Sequence, residues 1–215
     1  MASDAREIHK QAANAREAGE HLKALQLSDD AMLAYQKDND HEGMAEIVAD
    51  RSIVLRHLSE ETEDKSFLHL AKAEMLASVQ IARSSVALYN LAKVEEALEE
   101  FNDAITHYQE AMNGKNDPAI MADIKVHLTT CQYKSGDKST LGRAEQALAD
   151  LETANEEKYN KDVWISGAHM RIAAMLKSDD PEKAKEHLQK AKEIIDANPD
   201  LKLRKSQWDK LVFTF

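Results

Sequence analysis

Cysteine, proline and glycine are all scarce in this 215-residue chain, with one, three and six copies. A single cysteine, Cys131, excludes an internal disulfide and fits a reducing compartment. So few glycines and prolines leave little turn material for a many-stranded fold. Valine and isoleucine fall mostly inside helix-period patterns, so long strands are not expected. No stretch reaches 18 apolar residues, and the opening MASDAREIHKQ lacks the apolar core of a signal peptide. Neither a membrane association nor a secretory route is expected, and the expected location is cytoplasmic. Catalytic signatures are missing too. There is no glycine-rich phosphate loop, no GxSxG elbow and no HExxH pair. None of the nine histidines has another three or four residues away, so no helix-borne metal site is expected. The formal net charge of −11 argues against nucleic acid and anionic lipid as partners. The expectation is a protein without enzymatic activity, cofactor or metal.

What is abundant is Ala, Leu, Glu and Lys, the strong helix formers. They are patterned most clearly between Ser85 and Pro118. Leu88, Leu91, Ala92 and Val94 share one helical face. Phe101, Ala104, Ile105, Tyr108, Ala111 and Met112 share another, at spacings of three and four. Small residues stand where two helices would cross closely, and Asn113-Gly114 and Asn116-Asp117-Pro118 end the second helix. The same plan recurs. A small residue opens the packing face of each second helix at Ala24, Ala71, Ala104, Ala147 and Ala184, at gaps of 47, 33, 43 and 37 residues. Near-constant spacing of this kind is the mark of a repeat. Five helix pairs follow, at residues 5–38, 40–83, 85–118, 119–158 and 161–198, with a capping segment at 201–215. Together they are expected to form one domain over 1–215.

The 85–118 stretch resembles a tetratricopeptide repeat (TPR). It carries the small residue of the first helix (Ala92), a bulky residue at the turn, and the Ala104-x3-Tyr108-x2-Ala111 run. The turn glycine of the pattern is replaced by Glu99. The resemblance implies an all-α, right-handed α–α superhelix of about five antiparallel helix pairs plus a C-terminal capping helix. It also implies that the first helices line a concave groove that binds a peptide or protein segment. The groove contacts would be Arg6, His9, Lys10 and Arg16 in the first repeat, and Asp50 and Arg56 in the second. Tyr89, Asn90, Lys93 and Glu96 follow in the third, and His127 in the fourth. The basic N-terminal end would suit an acidic segment. Asn90 and Lys93 stand where some TPR domains clamp a chaperone tail. The preceding repeat offers Ala49 and Ile53 instead of a matching pair, so the full clamp is not expected.

Several residues are assigned more locally. Ser3 is expected to cap the first helix. Residues 59–65 read as a long charged connection, and residues 138–142 as an insertion. Tyr108 and Cys131 belong to the core, Trp164 to packing between repeats, and Tyr89 to an exposed contact. Glu95-Glu96 and Glu99-Glu100 read as a solvated face. In the tail, Trp208 and Leu211 fit a cap, while Phe213 and Phe215 are left over. That surplus supports an alternative function, a self-associating structural or regulatory protein that forms a homodimer through the tail.

Overall fold

In the computed structural model, residues 2–215 are described, with side chains from Asp4 onward. Among the described residues, ten of the eleven α-helices form five consecutive hairpins and the eleventh follows them. The first three pairs are α1 (Ala2–Glu17) with α2 (His21–Asp38), α3 (His41–Thr62) with α4 (Ser66–Ile81), and α5 (Ser85–Ala97) with α6 (Phe101–Met112). Then come α7 (Pro118–Lys134) with α8 (Leu141–Thr153), α9 (Lys158–Leu176) with α10 (Pro181–Ala197), and α11 (Lys202–Val212). Position 3 lies inside α1, and the Ser3 side chain, expected as its cap, is outside the described residues. The helices form two compact units, Met1–Gly114 with three hairpins and Lys115–Phe215 with two hairpins and α11. The boundary falls at the Asn113–Pro118 break. No helix among the described residues is long and apolar enough to cross a membrane.

The repeat plan holds at its most diagnostic positions. Ala24, Ala71, Ala104, Ala147 and Ala184 are all at most 1% exposed. A methyl group is all that fits where the two helices of a hairpin cross. Tyr108 and Cys131 are fully buried, and Trp164 packs on the core of the second unit.

The turns explain how so few glycines suffice. Gly19, Asn39, Glu99 and Gly136 all have positive φ, and each is followed by an N–H that donates to a carbonyl five residues back. This left-handed helix ending suits glycine, and asparagine tolerates it. Glu99, at φ 63°, holds it against the sterics of its own Cβ. A Glu99→Gly variant is therefore expected to gain about 1 kcal/mol, read as a higher urea midpoint at unchanged slope. An unchanged midpoint would remove the strain from this turn.

Two expectations are corrected. The connection after α3 is short, because α3 runs through Thr62 and only residues 63–65 separate it from α4. Glu60 and Glu61 are good helix formers, and Ser59 is buried, so the charged run extends the helix. The 138–142 segment is a 3-10 turn, Lys138–Thr140, leading straight into α8. Asp137 accepts from the Ser139 N–H at 3.2 Å, and the buried Thr140 hydroxyl donates to the Thr129 carbonyl at 3.0 Å.

The tail caps the second unit as expected. Trp208, Leu211 and Val212 pack on its core, and the Trp208 indole N–H donates to the Leu188 carbonyl at 3.0 Å. Phe215 lies beside Lys177, whose ammonium is 5.2 Å from the ring centre. Phe213 points away from the body.

Candidate functional site

The first helices of neighbouring hairpins are joined by polar contacts at the period of the repeat. Arg6 pairs with Glu46, 40 residues on, and approaches Asp40 at 3.7 Å. The Arg6 guanidinium also lies over the Tyr35 ring, 5.3 Å from its centre. His9 contacts the Tyr35 hydroxyl at 2.9 Å through Nδ1, and the Asp50 carboxylate at 3.2 Å through Nε2. Arg16 reaches the same carboxylate at 2.9 Å. Burial pushes the Asp50 carboxyl up, but the His9 hydrogen bond and the Arg16 charge outweigh it and hold it below its ordinary value. The basic row read on α1 is therefore largely matched by acids on α3. Lys10 is exposed and has no ion pair among the described residues.

The pairing stops one step further along. Shifting the Arg16–Asp50 pair by one 40-residue repeat gives Arg56 and Asn90. An asparagine thus stands where the carboxylate would be. Arg56 is half-buried, its Nε is buried without a partner, and it makes no ion pair among the described residues. Asn90, on α5, likewise has no hydrogen bond among the described residues. Lys93 lies one turn from Asn90, donates to the Tyr89 hydroxyl at 3.0 Å and sits 4.6 Å from the centre of that ring. No carboxylate among the described residues pairs with Arg56.

Two other candidates on α5 are not exposed contacts. Tyr89 is buried, with its ring 6.2 Å from that of Tyr108. Glu96 is buried and accepts from the Tyr108 hydroxyl at 2.9 Å. Glu95 is buried as well, so the Glu95-Glu96 run is not a solvated face. Its carboxylate accepts from His107 at 2.7 Å and lies 3.6 Å from the Lys72 ammonium. Burial pushes the Glu95 carboxyl above its ordinary value, against the pull of His107 and Lys72. Glu95, Glu100 and Asp103 bring carboxylate oxygens within 4.8 Å of one another. Lys72 also pairs with Glu100, so the chain supplies its own cation there.

In the second unit, His127 is buried on α7, 3.7 Å from Asp123, and its Nδ1 accepts from Arg171 of α9 at 3.0 Å. A second polar cluster escaped the search for local histidine spacing. His169 of α9 and His187 of α10 are both buried, with Nδ1 atoms 2.8 Å apart. Glu152 of α8 lies 3.7 Å from the far side of His169. Burial and the neighbouring His187 push the His169 imidazole down to about 4. The two stand 18 residues apart in sequence, on the two helices of one hairpin, so only the folded hairpin reveals the pair.

No family model matches the sequence, and no curated protein matches it. Solved structures do. BtubC (BKLC) from P. vanneervenii superposes with a TM-score of 0.61 at 19% identity, over 89% of this chain and 80% of that one. A Podosopora anserina putative kinesin light chain of nearly identical TPR-like repeats gives 0.60 and 0.59 in two structures at 12% identity. These cover 90% of this chain and 95% and 96% of those. The chain has the TPR-like repeat fold. At these identities the likeness concerns the fold alone. A TPR-like hairpin cannot bury both of its faces, and within each unit neighbouring pairs pack on one another.

Proposed function

We propose that this chain is a non-enzymatic binding scaffold that seats an acidic peptide or protein segment on the first-helix face of its N-terminal unit. The observation that supports this most is Arg56, half-buried on α3 without a counter-charge. Holding a guanidinium partly out of water without a partner is costly, and a ligand carboxylate would remove the cost. Asn90 offers an amide on the neighbouring helix, and Lys93 a second cation. Glu46 and Asp50, already committed to α1, leave the Arg56 end as the positive end of this row.

A binding assay tests this. Acidic peptides selected from a random library on the native protein should lose at least about tenfold in affinity on Arg56→Ala and on Asn90→Ala, a change of about 1.4 kcal/mol each. Leu70→Ser, on the outer face of α4, should leave affinity unchanged. If neutral or basic peptides are selected, or if Leu70→Ser weakens binding while Arg56→Ala does not, the seat is misplaced.

A further inference from the structure

We propose that the chain associates head to tail with further copies of itself, α11 of one copy lying antiparallel across the outer face of α2 of the next. The inner face of α11 is occupied by its own unit through Trp208, Leu211 and Val212. Its outer stripe, at helical spacing, is Lys202, Lys205, Asp209 and Phe213. Phe213 is 92% exposed, more than any other large apolar side chain among the described residues. The next most exposed is Leu22 of α2, at 82%, and Leu33 lies on the same stripe of α2 three turns later. Exposed leucines at both ends of one helical stripe form an unpartnered face rather than scattered surface residues.

Charge decides which surface meets which. Residues 201–215 carry four cations and one carboxylate, a net +3 in a chain of net −11, so the remainder carries −14. Tail against tail would set two basic surfaces together, which disfavours a symmetric dimer through α11. The outer stripe of α2 presents Asp29 and Asp30 between its leucines. Placing Phe213 on Leu22 in an antiparallel register brings Lys205 to Asp30, each eight residues from its apolar anchor. The Lys202 stem then covers Leu33, each eleven residues from the anchor. Asp30 has no partner among the described residues, whereas Asp29 is shared with Arg51. Lys205 leans towards Asp209 at 3.9 Å, with both about half exposed, so it is available to Asp30. A parallel register with Phe213 on Leu33 would set Asp209 against Asp29.

The contact is small. Eleven helical residues span about 16 Å, so the buried area falls below the roughly 1,200 Å² of a stable interface. Association should be weak and sensitive to salt. In a head-to-tail chain each end copy keeps one surface open, so the assembly proposed here grows past two copies.

Sedimentation equilibrium of the full chain, from about 10 µM to about 1 mM at low salt, tests this. The average mass should climb from 24.1 kDa without levelling at two copies, and fall back on adding salt. Phe213→Glu and Leu22→Glu should each hold the protein at monomer mass. An equimolar mixture of the two variants should form heterodimers and stop there, since each keeps only one of the two surfaces. A wild type that stays monomeric, a wild type that levels at a dimer, or a variant that associates like the wild type would overturn the proposal. So would a monomer whose tail pellets only with anionic vesicles, which would assign Phe213 and the lysines to a lipid surface.

Discussion

A Gly43→Ala variant is expected to lose about 2 kcal/mol of stability, although alanine is the better helix former by about 1 kcal/mol. Gly43 sits in the first turn of α3, where its N–H donates to the Asp40 side chain at 2.8 Å. A methyl group there would clash with the ring carbons of Tyr35, in the last turn of α2. That ring cannot retreat. It is 1% exposed, with Arg6 over one face and His9 on its hydroxyl. Overpacking a closed site of this kind costs about 3 kcal/mol, and the gain in helix propensity offsets about a third of it. Urea unfolding reads the loss. A double variant with Tyr35→Leu should recover at least about 1 kcal/mol relative to the sum of the two single changes. An alanine variant within about 0.5 kcal/mol of wild type would show that the α2–α3 junction is loose.

The second large effect is acid sensitivity in the C-terminal unit. Burial and His187 push the folded His169 imidazole from its ordinary 6.5 down to about 4, and burial pushes His187 down as well. The folded state therefore resists a proton that the unfolded chain accepts. Stability from this group is complete above pH of about 6.5 and is lost as the pH falls from there towards 4. The loss approaches about 1.4 kcal/mol per pH unit for one such group, and about 3 kcal/mol across the whole window. Urea midpoints of wild type should fall between pH 7.5 and pH 5, and His169→Gln should flatten that dependence while retaining a polar partner for His187. Equal slopes in wild type and variant would mean that the pair does not set the acid response.

The helix pairs were legible because their signals are local. Apolar spacing within one helix, a small residue at each crossing and a polar break after each pair are all read within about 40 residues. Gly19, Asn39 and Gly136 are residue types that suit a left-handed turn, whereas Glu99, at the turn-glycine position of the repeat pattern, adopts the same geometry without that mark. The electrostatics of the inner face were not legible, because each partner lies one repeat away or on the other helix of the hairpin. Arg6 and Arg16 read as a free basic end until Glu46 and Asp50 of α3 come alongside. Glu95 reads as solvated until Lys72 and His107 fold over it. Tyr89 reads as exposed because its helix alone does not show the Tyr108 ring that covers it. The same distance effect makes Arg56 informative. Its partner position is fixed by the repeat, and the residue found there is Asn90 instead of a carboxylate.

The most direct test of the binding scaffold is where an acidic ligand lands. Titrating the ¹⁵N-labelled full chain with an acidic peptide selected on it should shift the amide signals of α3 and α5 around Arg56, Asn90 and Lys93, and leave the outer residues of α2 and α4 unmoved. Shifts confined to α2, α4 or the α11 tail would contradict binding on the first-helix face.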